Sequence, residues 1–199
     1  MSDLFYLTVK FLPEPRNNEY LALRCLKVLH GYCSSKGIDN LAASFPEWSE
    51  DTVGSRLTLV CTKSTTLNEL VDQPYFAKMR AKGYFSISEP TSVPKEAPLA
   101  YFVRNQAIDD AFPKADARKI KRLSRRAAER GEVYQPYRQQ DQAARSFSHY
   151  HTLKLSSKGN GQKFRLNIQM EPATKELSGK VTSYGLSNKT DKRFAVPLV

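Results

Sequence analysis

Acid–base chemistry in this sequence can come from three histidines, His30, His149 and His151. His30 lies between Leu26 and Cys33, on the flank of an apolar helical stripe, and by these surroundings alone it reads as structural. An unperturbed imidazole titrates near pH 6.5, about where a general base for neutral-pH chemistry should sit. His149 and His151 precede a strand-like run and are competing candidates for the same work. Three cysteines, Cys25, Cys33 and Cys61, form an odd set with no CxxC spacing. That argues against a disulfide framework or a structural zinc site, and leaves packed neutral thiols. No carboxylate cluster or Gly-Lys-Ser/Thr phosphate loop is present, so a Mg²⁺-dependent nuclease or nucleotide hydrolase has no residues to run on. No cofactor is expected.

The other conspicuous feature is charge. Lys and Arg number 31 against 20 Asp and Glu, a net charge of +11. Residues 1–98 carry 11 basic and 11 acidic side chains, whereas residues 99–199 carry 20 and 9. A neutral half joined to a basic half suggests a scaffold plus a surface for a polyanion. The densest stretch is Arg118–Arg130. At about 100° per residue, Ile120, Leu123 and Ala127 share one stripe of a helix, and Arg118, Arg122, Arg125 and Arg126 share the other side. Asp116 can cap its start, and Gly131 suits the left-handed position after its end. A merely solvated helix would mix in more acids than the single Glu129, so nucleic-acid contact is the better reading. Membrane binding is not expected, because the basic segments lack a Trp/Phe/Leu insertion face. No apolar run approaches the roughly 18 residues of a membrane span. The amino terminus lacks the positive charge and cleavage site of a signal peptide, so a cytoplasmic location is expected.

These groups need elements to hold them. Residues 4–12 alternate, with Phe5, Leu7, Val9 and Phe11 on one face of a strand. Asn18 can cap a helix whose stripe is Leu21, Cys25, Val28, Leu29 and Tyr32, with Gly37 as its stop. Strands follow at Asn40–Phe45 and Arg56–Cys61, then a helical stretch Thr66–Lys82 interrupted at Pro74, then a strand at Tyr84–Ser88. The order β-α-β-β-α-β is the ferredoxin-like unit that RNA-recognition modules share, although their aromatic signatures are absent. The Pro-rich stretch 89–98 reads as a connection. Beyond it, Val133–Ser148 is polar and Gln-rich. Tyr150–Ser156 and Gln162–Met170 then flank Lys158-Gly159-Asn160-Gly161, a strong hairpin signal. Phe164, Leu166, Ile168 and Met170 share one face, and Arg165, Asn167 and Gln169 the other. The expected class is α+β: a ferredoxin-like domain over 1–98 and a basic α/β domain over 99–199, with an arginine-rich helix and a β-hairpin.

Leu29-His30, Ser44-Phe45-Pro46, Arg104-Asn105-Gln106, the arginine helix, Gly161-Gln162-Lys163-Phe164-Arg165-Leu166 and Tyr184-Gly185-Leu186-Ser187 occur in order. Together they resemble the type I-F CRISPR repeat-processing endoribonucleases over nearly the whole chain, and most closely their transposon-encoded variants. The glycine-rich carboxy-terminal loop of the broader superfamily is missing, so the likeness is to this branch alone.

The resemblance implies a protein that binds the hairpin of a CRISPR repeat and cuts at the 3′ base of its stem. It then remains as a subunit of the guide-RNA surveillance complex. Implied partners are the repeat hairpin, the other subunits of that complex and, through the transposon-encoded variants, a transposition-targeting protein. His30 becomes the general base. Ser156 or Ser157 becomes the residue that holds the ribose 2′-oxygen, and Tyr184 lies near the active site. Arg122 and Arg126 match the main hairpin contacts, with Arg118 and Arg125 as helpers. Arg104 and Gln106 match a segment that bonds base edges near the cut, and Phe164 an aromatic that stacks on the terminal base pair. Read from its own face, Phe164 is a core residue, and without the resemblance Tyr184 reads equally as a packed tyrosine. The implied chemistry is metal-free, because RNA supplies its own 2′-hydroxyl nucleophile. A non-catalytic RNA-hairpin-binding subunit and a sequence-tolerant DNA-binding protein are the alternatives.

Overall fold

The computed structural model describes residues 4–110, 113–133, 147–156, 163–173 and 179–199, with the backbone alone at 109–110, 113–119, 155–156 and 163–164. Two compact units divide the chain: Met1–Asn105 with His149–Val199, and Gln106–Ser148.

The first unit opens with β1 (Phe5–Phe11), α1 (Asn18–Lys36), β2 (Ala42–Ser44) and β3 (Arg56–Cys61), followed by α2 (Ser64–Val71), α3 (Pro74–Ala81), β4 (Phe85–Ile87) and β5 (Thr91–Ser92). The sheet runs β2-β3-β1-β4, with β5 also pairing β1, and every pairing is antiparallel. That order is the ferredoxin-like arrangement expected from the pattern of elements. Alternation in β1 buries Leu7, Val9 and Phe11; Leu59 and Leu57 of β3 lie opposite Leu7 and Val9, Phe85 of β4 lies opposite Phe11, and all are buried, as is Cys61 opposite Phe5. Both sets join Cys25, Leu26, Leu29 and Tyr32 of α1 in one core.

The cap of α1 falls one residue earlier than expected. Asn17, in extended conformation, accepts a hydrogen bond from the Tyr20 N–H at 2.8 Å. Asn18 is the first helical residue, and its side chain is engaged elsewhere, accepting from Arg16 Nε and donating to Thr52 Oγ1. At the other end Gly37 takes the left-handed conformation, φ 66°, as a terminating glycine should. Pro74 divides the second helical stretch and sits at the first turn of α3, where its missing N–H costs nothing.

β3 is buried on both faces, which alternation alone would not show. Thr58 and Val60 point away from the first core, yet both are fully buried. Thr58 Oγ1 donates to the Val199 main-chain oxygen at 3.0 Å, and Ser44 Oγ to the Pro197 carbonyl at 2.7 Å. The final residues of the chain thus cover this face.

A second antiparallel sheet in the same unit runs β7-β8-β6-β9, from β6 (Leu99–Arg104), β7 (His151–Ser156), β8 (Lys163–Pro172) and β9 (Val196–Pro197). The paired strands β7 and β8 bring Leu153 opposite Leu166; the Asn-Gly turn expected between them lies outside the described residues. Leu166 and Ile168 are buried as their alternation requires, but Met170 is 38% exposed, while Asn167 and Gln169 on the opposite face are buried. Their amide oxygens are bonded, Asn167 Oδ1 accepting from Thr152 Oγ1 at 2.7 Å and Gln169 Oε1 from Asn105 Nδ2 at 2.6 Å, whereas Asn167 Nδ2 is buried with no hydrogen-bond partner among the described residues.

The second unit contains α4 (Ala107–Asp110) and α5 (Pro113–Ala128). α5 starts at Pro113, so Asp116 lies within the helix rather than at its cap. It ends as expected: Gly131 has φ 73° and donates to the Ala128 carbonyl, and Glu132 N–H reaches Ala127 O. Ala127 is buried and Leu123 half-buried, whereas Ile120 is 44% exposed, so only the carboxy-terminal part of the apolar stripe is covered. No helix among the described residues is long and apolar enough to cross a membrane.

Candidate active site

The candidate site lies within the first unit, and three separate parts of the chain supply it. His30 comes from the penultimate turn of α1, next to Leu29, which anchors the helix in the core. Arg104 ends β6. Ser183 and Tyr184 come from the segment 180–187, which is pinned at several points. Val181 N–H donates to Asp39 O at 2.7 Å, and Lys180 pairs with the Asp39 carboxylate at 2.7 Å. A tight turn closes through Gly185 N–H to Thr182 O. Gly185 O then accepts from the Ala43 N–H of β2 at 2.8 Å, while Ser187 bridges β6 through Phe102 O and the Arg104 N–H.

Gly185 is required at that turn for two reasons. Its φ is +71°, and a Cβ there would lie 2.6 Å from Leu29 Cδ2 and 3.1 Å from Ala43 N and Leu41 O. A left-handed L-residue costs about 1–2 kcal/mol, and forcing extra volume into a packed site about 1–3 kcal/mol more. Gly185→Ala is therefore expected to lower the melting temperature by roughly 5–15 °C, measured by thermal denaturation; an unchanged midpoint would mean that the segment does not pack on α1 and β2.

In this setting the His30 and Tyr184 rings stack face to face, 4.2 Å between centroids and 4° from parallel. His30 Nδ1 is 2.8 Å from Ser183 Oγ, with Ser34 Oγ a distant second at 3.4 Å. Nothing among the described residues hydrogen-bonds Nε2. The Arg104 guanidinium lies over the other partner of the stack, 5.5 Å from the Tyr184 ring centroid. Partial burial, helped by the charge of Arg104, lowers the His30 pKa below its ordinary value, so the imidazole is neutral at pH 7. Burial also raises the Tyr184 phenol above its usual range, against the pull of Arg104. The result is a neutral imidazole held in plane, with one nitrogen engaged, the other open and a fixed cation nearby. Such a group can accept a proton.

The structure thus brings together His30, Tyr184 and Arg104 from the residues singled out in the sequence. Ser183 joins them and was not singled out as a site residue; its signal is the run Ser183-Tyr184-Gly185, in which the glycine marks a tight turn against another element. Ser156 closes β7 opposite Lys163, and Phe164 stands in β8 opposite Leu155, but both side chains lie outside the described residues, as does all of Ser157. Gln106 is exposed and belongs to the second unit. Arg122, Arg125 and Arg126 are exposed on α5, with Arg125 3.5 Å from Glu129. The side chain of Arg118 is outside the described residues.

The remaining histidines make a cluster of their own. His149 and His151 approach to 3.4 Å between Nε2 atoms, His151 Nε2 is 2.9 Å from the Ser49 carbonyl oxygen, and Trp48 packs edge-on against His151. No hydrogen bond or ring contact among the described residues links them to His30. All three cysteines are buried free thiols, with Cys33 pushed up to about 11 by burial and by the neighbouring Cys61, which leaves it protonated and unreactive. Among the described residues, no three His, Cys, Asp or Glu side chains converge as metal ligands.

A ferredoxin-like sheet, a second antiparallel sheet and a histidine stacked on a pinned turn define the class of scaffold. The sequence matches the CRISPR-associated protein (Cas_Csy4) family over residues 6–198, and the chain belongs to that family. Among solved structures, the crystal structure of the CRISPR RNA processing endoribonuclease Cas6b matches at 13% identity and a TM-score of 0.30, covering 98% of this chain and 100% of that one. No curated protein matches the sequence.

Proposed function

We propose that this protein is an endoribonuclease that binds the hairpin of a CRISPR repeat and cuts the precursor RNA at the 3′ base of the stem without a metal ion. The observation that carries the reading is His30: a neutral imidazole, held at Nδ1, with Nε2 open. In this mechanism Nε2 removes the proton from the ribose 2′-hydroxyl beside the scissile phosphate. The 2′-oxygen attacks phosphorus, the bond to the 5′-oxygen breaks, and that oxygen takes a proton from solvent. The products are a 2′,3′-cyclic phosphate and a 5′-hydroxyl.

Other roles follow from the same reading. Ser156 or Ser157 holds the 2′-oxygen in line for attack. Arg104 supplies positive charge to the pentavalent phosphate and, with Gln106, bonds base edges next to the cut, a guanidinium suiting guanine and a carboxamide adenine. Phe164 stacks on the terminal base pair. Arg118, Arg122, Arg125 and Arg126 grip hairpin phosphates; a short stem is accessible from its open end, so the narrowness of the A-form major groove does not bar them. The basic residues 99–199 then act as the RNA-binding half. After cutting, the protein remains with its product in the surveillance complex.

A single-turnover digest of a labelled repeat RNA tests the reaction. Full cleavage in excess EDTA, leaving a 5′-hydroxyl on the downstream fragment, is expected. Dependence on added Mg²⁺ would remove the metal-free mechanism. Tight hairpin binding with no cutting would identify a non-catalytic RNA-binding subunit instead. Equal competition by an unrelated DNA duplex would indicate sequence-tolerant DNA binding.

A further inference from the structure

A neutral imidazole carries one proton on one of two nitrogens, and only the bare nitrogen can act as a base. If His30 held its proton on Nε2, the open nitrogen would be a donor, and the ring could not deprotonate a ribose hydroxyl. The tautomer is therefore as important to the reaction as the position of the ring. We propose that Ser183 is the positioning residue that sets it: Ser183 Oγ accepts the Nδ1 proton of His30, which leaves the Nε2 lone pair facing the substrate. The inference rests on His30 acting as the general base.

The geometry favours Ser183 over every other group near Nδ1. Its Oγ is at 2.8 Å, within ordinary hydrogen-bond range, whereas Ser34 Oγ, on the same helix and exposed, is at 3.4 Å. Ser183 is also held from both sides. Val181 is tied to Asp39 before it, the Gly185-to-Thr182 turn encloses it, and Gly185 is tied to Ala43 after it. Thr182 adds two bonds to Leu186 O, through its N–H and its Oγ1, each at 2.9 Å. The parallel stack on Tyr184 fixes the plane of the ring, and the Ser183 bond distinguishes its Nδ1 edge from the opposite one. A serine hydroxyl so fixed is a defined partner and not a rotating surface group.

A second consequence concerns charge. Among the described residues, the groups facing His30 are the Ser34 hydroxyl of its own helix, Ser183 and the Tyr184 phenol of the 180–187 segment, and the Arg104 guanidinium of β6. Of these only Arg104 is charged at neutral pH, and it opposes the positive charge that the ring acquires as it takes the ribose proton. The Nδ1–H···Oγ bond strengthens as the ring becomes cationic, since charge-assisted hydrogen bonds are the stronger kind. Ser183 thus offsets part of the opposition from Arg104 at the moment of proton transfer.

The test has one readout that needs no RNA. In the ¹⁵N-labelled full chain, His30 Nδ1 and Nε2 are assigned by loss of their signals in His30→Asn. With the ring neutral, Nδ1 is expected to carry the proton and Nε2 to be bare; in Ser183→Ala the Nε2–H form gains population. Single-turnover cleavage by Ser183→Ala falls at least about tenfold, short of the roughly 10⁴ that a fully wrong tautomer costs a histidine base. Its pH–rate profile moves to lower pH while hairpin affinity stays the same. Ser183→Thr, which keeps the hydroxyl, restores the tautomer and the profile. A neutral wild-type ring protonated on Nε2 would overturn the assignment, as would an unchanged tautomer and pH profile in Ser183→Ala. Full-speed cleavage by a chain lacking His30 would overturn the base on which it rests, and the tautomer measured without RNA separates the two failures.

Discussion

Alanine at position 30 is expected to slow single-turnover cleavage of a repeat RNA by about 10²-fold or more while leaving hairpin affinity intact. The magnitude is that of losing a positioned general base, about 10²–10⁴ in rate. The separation of rate from binding follows from the site. His30 is an uncharged ring at pH 7 and contributes no attraction to phosphate, whereas its removal deletes the only imidazole in the His30–Ser183–Tyr184 group. The pH dependence carries a sign that can be checked. The base works only when neutral, and burial together with Arg104 lowers its pKa. The wild-type rate should therefore rise with pH on an acid limb that lies below the ordinary histidine value and level off above it. Cleavage at the wild-type rate by His30→Ala would remove His30 from the reaction. An acid limb above about pH 6.5 would mean that Arg104 and burial do not govern the ring in the complex with RNA.

The second large effect is on binding. Replacing Arg122 and Arg126 together with alanine should weaken the hairpin complex by about a factor of ten or more for each phosphate no longer held. It should also flatten the dependence of log affinity on log salt by about one unit for each such phosphate. Both side chains are exposed, and among the described residues neither has a carboxylate partner. Their removal costs the fold little, since exposed substitutions away from caps and cores usually stay within about 0.5 kcal/mol. The neighbouring Arg125 is less free to serve, because Glu129 one turn on competes for it at 3.5 Å. Filter binding or fluorescence anisotropy across a salt series gives both quantities. A steep salt dependence that survives the double substitution would mean that this helix does not face RNA.

Much of the scaffold could be read residue by residue. Arg56–Cys61 forms a strand with the bounds its pattern indicates, Gly37 ends α1, Pro74 breaks the second helical stretch and Gly131 closes α5. Each of these is a local matter, decided by φ preferences, a missing N–H or a period of two or 3.6 residues. Other features were harder to read because their cause is remote in sequence. Leu99–Arg104 shows no clean alternation, since as β6 it lies between β8 and β9 with buried residues on both faces. Asn17 rather than Asn18 caps α1, because Thr52 and Arg16 engage the second asparagine. Thr58, Asn167 and Gln169 look like solvent-facing polar residues and are buried, each with a hydrogen-bond partner supplied from another strand, from Asn105 just after β6, or from the last residue of the chain.

The same division holds for the site. By itself the sequence determined the kinds of group available: one imidazole in the neutral half, an arginine face on a helix and a glycine turn near the end. Residue type and short-range spacing are enough for that. Only the tertiary structure decided that His30 would be neutral, stacked and held at one nitrogen, because the groups responsible, Arg104, Ser183 and Tyr184, lie far along the chain, Ser183 at a separation of 153 residues. A periodicity reports what stands beside a residue on its own helix or strand. The pKa and tautomer of a side chain are set by what packs against it, and that is fixed by how the pinned 180–187 segment meets α1, β2 and β6.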